Sequence, residues 1–212
     1  PTIARAERLA HEWLAARAPR VAAAWPADRL RALRARIHEA RADLRHDLLR
    51  IRRLALEQAF TDCGGSDAAA GHIIDGALQV FMQARNEVEL YPEVAACLQR
   101  LSQRYRLASL SNGNADLARI GLADFFHATV AAHAHGASKP DPALFHIACR
   151  ELGCLPQEVV HVGDDAELDV RGARGAGLHA VWINRTGRPW PGEDLPVAVA
   201  DLLAFERWLE NA

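Results

Sequence analysis

Between residues 2 and 86 the apolar positions recur every three or four residues, the spacing of helices that each bury one face. Ile3, Ala6, Leu9, Ala10, Trp13 and Leu14 form the first stripe, which predicts a helix over Ile3 to Arg17 capped by Thr2. Pro19 is expected to end it, and Pro26 to close the connection. Asp28 is expected to cap a second helix that turns Leu30, Leu33, Ile37 and Ala40 inward. Asp47 starts a third, with Leu48, Ile51, Leu54, Ala55 and Ala59 at helical spacing, and Cys63-Gly64-Gly65 breaks it. A fourth, capped by Ser66 or Asp67, carries Ile73, Ile74, Ala77, Leu78, Phe81 and Met82. Four antiparallel helices with short connections make a small bundle.

From Glu89 the pattern changes to short apolar runs alternating with helical stretches. Pro92 opens a helix over Glu93 to Gln103. Strands are predicted at Arg106 to Leu110, His127 to Ala131, Glu158 to Val162 and His179 to Ile183. The run at 158–162 is β-branched without a helical period and reads as a buried strand. Helices follow from Ala115, from Pro142 to Leu152 with Asp141 as cap, from Leu168 with Gly177 as its stop, and from Leu202 to Leu209 with Asp201 as cap. This alternation implies an α/β fold, a parallel sheet wrapped by helices. The expected division is a helical bundle over 1–87 and an α/β core over 88–212.

Composition narrows the function classes. Half the residues are hydrophobic and the formal charge is −2, so nothing favours bulk binding to nucleic acid or a membrane. No signal peptide and no long apolar span is visible, and the four cysteines lack metal-type spacing. Free thiols in a reducing cytoplasm are expected. Of 25 basic Lys and Arg residues, only residue 139 is Lys. A lone Lys against that background is either chance or a place that needs a compact ammonium rather than a planar guanidinium. The arginines crowding the second and third helices are expected to form a solvated face with partners such as Glu39 and Asp43. One or two of them could reach an anionic ligand.

Candidate chemistry gathers at the strand exits. Ser111-Asn112-Gly113 follows one strand, Lys139 precedes a helix start, and Gly163-Asp164-Asp165, with Asp169 further on, follows another. Strands of a parallel sheet end on one edge, where ligands bind in open α/β sheets. Several carboxylates there repel one another unless a cation arrives, magnesium before calcium; a solvated acidic turn that caps a helix is the plain alternative. A hydroxyl, an amide, backbone N–H groups, one ammonium and a carboxylate-held cation together suit phosphate. Ser-Asn-Gly alone is an ordinary turn.

These stretches together resemble the haloacid dehalogenase-like (HAD) superfamily, in the branch with a helical cap. Leu110-Ser111-Asn112-Gly113 looks like that family's second motif, Gly136 to Phe145 around Lys139 like its third, and Val162-Gly163-Asp164-Asp165 with Asp169 like its fourth. Gly121 to Phe126 and Ala173 to Leu178 are further family-like stretches. The resemblance implies a three-layer parallel-sheet core with an inserted cap, and a magnesium-dependent phosphatase acting on a small phosphorylated metabolite. It implies that Ser111 and the Asn112 or Gly113 amides hold the phosphoryl group. Lys139 would neutralise charge, Asp164 bind Mg2+, and Asp169 support the metal site from behind its direct ligands or through water. A cytoplasmic monomer or homodimer is expected.

One departure stands out. The family's chemistry begins on a strand ending in Asp-x-Asp-x-Thr, whose first Asp attacks phosphorus and whose second serves as acid and base. No such run occurs in the 212 residues. Either that strand is missing from this sequence, or the protein is a non-catalytic relative. The first is favoured, because the strand would lie between those ending at Leu110 and Val162, and losing it would leave buried amides unpaired. The 212 residues alone are then expected to fold poorly and to be inactive. Direct pairing of those two strands would instead favour the non-catalytic module. A 2-haloacid dehalogenase is a further alternative; its resemblance would call for a Ser-Ser-Asn-type stretch where Gly163-Asp164-Asp165 stands.

Overall fold

A computed structural model describes residues 2–65 and 68–211. Along the chain run α1 (Thr2–Arg17), α2 (Pro19–Ala24), α3 (Ala27–Ala40), α4 (Leu48–Asp62), α5 (Ala68–Asn86) and α6 (Val94–Arg104). Then come β1 (Ala108–Ser111), α7 (Leu117–Ile120), β2 (Ala128–Ala131), α8 (Ala132–His135), α9 (Pro142–Leu152) and β3 (Val160–Gly163). The chain ends with α10 (Gly172–Gly175), β4 (His179–Ile183), β5 (Val197–Val199) and α11 (Leu202–Leu209). The fold is mixed α/β with parallel sheets. Two compact units emerge, one from the residues up to Glu89 with Gly113–Ile120, the other from Leu90–Asn112 with Gly121 onward. The segment 113–120, which the sequence assigned to the α/β part, groups with the helices because Asn86 Oδ1 accepts from the Asp116 amide at 2.9 Å.

In the helical unit, α1 to α5 bury their predicted stripes, with Leu14, Trp25, Leu30, Ala55, Phe60 and Ile74 in one core. Gly76 lets the Trp13 indole lie directly on α5, where Nε1 donates to the Ile73 carbonyl at 3.2 Å. Asp47 caps α4 as expected, its carboxylate accepting from the Arg50 amide at 2.8 Å. Several details differ. The first helix stops at Arg17, just before Pro19 as expected, but Pro19 also opens α2, where its fixed φ and missing N–H suit a first turn. Pro26 stands at the cap position of α3, and Asp28 lies inside the first turn, without capping. Ile3, Ala40 and Leu48 face solvent, being at helix ends where the apolar stripe leaves the core. The expected Ser66 or Asp67 cap lies outside the described residues.

In the α/β unit, β1 pairs β2 in parallel, and β3, β4 and β5 form a second parallel set in that order. Helices α9 and α10 cover one face: Phe145, Cys149, Ala173 and Ala176 pack against Leu110, Val159 and Ala180. On the other, Leu101 of α6 and Phe205 of α11 pack against Val160, Val162 and Val181. Asp141 and Asp201 cap α9 and α11 through the Ala143 and Ala204 amides at 2.9 and 2.7 Å. Strand β5 was not predicted; its three residues are too short to show alternation.

Among the described residues β1 and β3 do not pair with each other, and each makes a ladder on one edge only. The expected buried strand is therefore half-buried throughout β3, whereas β4, paired on both edges, buries Val181 and Trp182 to 1% and 3% exposure. The helix predicted from Leu168 starts earlier, as a π-type turn over Ala166–Arg171, and Gly177, at φ 82°, takes the left-handed conformation past its end.

Candidate active site

The exits of β1 and β3 and the loop before α9 meet in one hydrogen-bonded chain of groups. Asn112 and Lys139 clamp each other: Asn112 Nδ2 donates to the Lys139 carbonyl at 2.9 Å, and the Lys139 amide donates back to Asn112 Oδ1 at 2.7 Å. The Asn112 side chain is thus occupied in joining two loops. The Lys139 ammonium donates to the Leu110 carbonyl at 3.1 Å and to Asp169 Oδ1 at 2.6 Å. Lys139 precedes Pro140 through a cis peptide bond.

Asp169 sits at the centre of this chain. His161 Nε2 donates to its Oδ1 at 3.0 Å, and the Asp165 amide donates to its Oδ2 at 3.0 Å. Burial alone would raise its carboxyl pKa, but the bond from His161 and the Lys139 ammonium outweigh burial and hold it well below the usual carboxylate range. Gly163 is required here: a Cβ at that position would run into the Asp169 carboxyl group. Lys139 and Asp169 side chains are 12% and 7% exposed, so the pair is shielded from water and from salt.

The neighbouring acids behave differently. Asp165 accepts from the amides of Glu167 and Leu168 at 2.9 and 2.8 Å, closing the turn that follows β3. The Asp164 carbonyl is held from two sides, by Trp182 Nε1 at 3.1 Å and by Arg188 Nη2 at 3.0 Å. The Asp164 carboxylate is exposed and makes no hydrogen bond or ion pair within the described residues. Among those residues no three His, Cys, Asp or Glu side chains converge as a metal cage. One open carboxylate still suits magnesium, which keeps several waters and takes one or two carboxylates beside phosphate oxygens.

The predicted residues 111, 112, 139, 164 and 169 therefore lie in one region of the α/β unit, with Lys139 and Asp169 in direct contact. Asp169 faces the protein rather than solvent. Gly113 follows Asn112 in sequence and is grouped with the helical unit.

The family model for haloacid dehalogenase-like hydrolases matches residues 2–177. The chain belongs to the haloacid dehalogenase-like hydrolases. Within that family it is 34% identical over 154 residues to the 5-amino-6-(5-phospho-D-ribitylamino)uracil phosphatase YigB of Escherichia coli strain K12, across 73% of this chain and 65% of that protein. It is 39% identical over 158 residues to the phosphoserine phosphatase of Thermus thermophilus, across 71% of this chain and 62% of that protein. The chain thus spans less than two thirds of the length of either relative. Among solved structures, the 2-haloacid dehalogenase from Pseudomonas syringae pv. Tomato DC3000 superposes with a TM-score of 0.91 at 35% identity, over 100% of this chain and 92% of that one.

Three residues of this HAD hydrolase escaped the sequence reading: His161, Trp182 and Arg188. For His161 a signal was present, since it lies two residues before Gly163 and so on the same strand face. The bonds from Trp182 and Arg188 cross 18 and 24 residues of sequence, and nothing local marks them.

Proposed function

We propose that this hydrolase is a magnesium-dependent phosphatase acting on a small phosphorylated metabolite. The observation that carries the reading is the Lys139–Asp169 pair, buried beside an open Asp164 carboxylate at a strand exit. Its phosphatase relatives support it. In this reading Ser111 and the Asn112 or Gly113 amides bind phosphoryl oxygens, and the Lys139 ammonium offsets their charge. Asp164 would hold magnesium, which when bound neutralises charge on the phosphoryl group. Asp169 keeps the Lys139 ammonium and the Asp165 loop in place. Residues 1–87 act as the cap.

A carboxylate nucleophile attacks phosphorus as the ester P–O bond breaks and the substrate's alcohol leaves with a proton; water then hydrolyses the aspartyl-phosphate to inorganic phosphate and the free carboxylate. The open edges of β1 and β3 support a strand seated between them as its carrier. A second reading, a 2-haloacid dehalogenase, is favoured by the likeness to the Pseudomonas syringae enzyme. The pair of acids at Asp164 and Asp165 weighs against it, since a dehalogenase needs no cation at that place. Parallel assays of the full-length protein decide between them: phosphate release from a panel of phosphomonoesters, and chloride release from 2-chloro acids. Phosphate release that depends on magnesium is expected. Chloride release with no phosphate release would replace the phosphatase reading by the dehalogenase one.

A further inference from the structure

The helical unit holds a second concentration of charge, remote in sequence from every motif above. Glu7 on α1 faces Arg31 and Arg34 on α3 and Arg52 on α4. Its Oε2 accepts from Arg31 Nη2 at 2.8 Å, and its Oε1 accepts from both Arg34 and Arg52, the latter at 3.3 Å. Arg31 is mostly solvated, but the Arg34 and Arg52 side chains are 16% and 15% exposed. Three guanidinium charges thus meet one carboxylate.

The Arg34 and Arg52 guanidiniums share a single oxygen of Glu7 and make no other hydrogen bond within the described residues. Each guanidinium carries five N–H groups, so most of their donors are left over. The face of Phe81 lies 3.7 Å from the Arg52 guanidinium carbon, which stabilises the cation but accepts no conventional hydrogen bond. Burial, and then repulsion from Arg34, lowers the Arg52 pKa to about 10. Uncompensated charge at that depth costs several kcal/mol unless something pairs with it.

A cavity of about 30 Å3 lies where these groups meet, lined by Glu7, His11, Arg34 and Arg52 and by apolar residues such as Leu14 and Leu56. His11 brings no negative charge; its Nε2 stands 3.2 Å from the Trp25 carbonyl. A water needs roughly 10–15 Å3 of such space, so the cavity takes two or three waters, or one small ion with a water beside it. We propose that this cavity is a binding site for one small monovalent anion of halide size, held by the Arg34 and Arg52 guanidiniums beside Glu7. The site is separate from the phosphatase reading and does not depend on it.

The full-length protein provides the test. Crystals grown in bromide are expected to show an anomalous peak between the Arg34 and Arg52 guanidiniums. In solution, exchanging gluconate for chloride at constant ionic strength is expected to raise the thermal midpoint saturably, by about 2–4 °C. Arg52→Met should abolish that increment. Glu7→Gln, which removes the competing carboxylate, should tighten chloride binding and lower the concentration at half-saturation, an effect simple destabilisation would not produce. No bromide peak together with identical midpoints in the two salts would overturn the proposal, whatever the variants do.

Discussion

Two carboxylates organise this protein, and they keep different company. Glu7 gathers three arginines from helix faces, and the sum of charges there is positive. Asp169 gathers the only lysine and a histidine at strand exits, and Lys139 balances it. The difference follows from geometry. A guanidinium fork spans neighbouring helices and accepts imperfect distances, so this Arg-rich chain uses it wherever helices pack. The slot bounded by the Leu110 carbonyl and Asp169 is narrow and asks for a point charge. Because Lys139 already satisfies Asp169, the exposed Asp164 nearby is left as a net negative charge that a cation can answer. An excess of cations invites an anion, and an excess of carboxylate invites a metal.

Replacing Lys139 breaks that contrast most severely. Lys139→Ala is expected to lower phosphate turnover about 10²–10³-fold, the usual cost of one preorganised donor. Lys139→Arg should be nearly as harmful, although it keeps the charge. Near-normal steady-state turnover for the Arg variant would show that any cation suffices and that the two clusters differ only in sequence.

Gly163→Ala attacks the other side of the pair. A methyl group there collides with the Asp169 carboxyl group, which Lys139, His161 and the Asp165 amide hold in place. Overpacking of this kind costs about 1–3 kcal/mol. Denaturant unfolding should show that loss, together with weakened turnover. An unchanged unfolding midpoint would mean that Asp169 moves aside at no cost.

Acid sharpens the comparison more gently. The Asp169 carboxyl pKa lies below its unfolded value, so as pH falls the unfolded chain binds the proton first. The stabilisation from this group is complete above an unfolded pKa of about 3.9 and is lost as pH falls towards the folded value. Asp169→Asn should remove that component, flattening the fall of unfolding free energy below about pH 4 by up to roughly 1.4 kcal/mol per pH unit. Parallel pH profiles for the two proteins would contradict the assigned electrostatics.

Much of this was legible in the sequence, for local reasons. The caps at Asp47, Asp141 and Asp201 bond amides two or three residues away, so sequence spacing suffices to find them. The arginines of α3 and α4 were expected to pair within their own helices. Arg31, Arg34 and Arg52 instead reach Glu7, 24 to 45 residues away, because helix packing sets those distances. Likewise the apolar run of β3 announced a strand but not its half-exposed state. Burial there depends on how many neighbours the strand has, and among the described residues β3 has one.

The central claim is that Asp164 serves a cation while Lys139 and Asp169 serve the phosphoryl group. It is tested most directly by measuring phosphate release by full-length Asp164→Asn against magnesium concentration. The account predicts a folded protein, with the Lys139–Asp169 pair intact, whose magnesium-dependent turnover is lost. Undiminished turnover with the same magnesium dependence would contradict it.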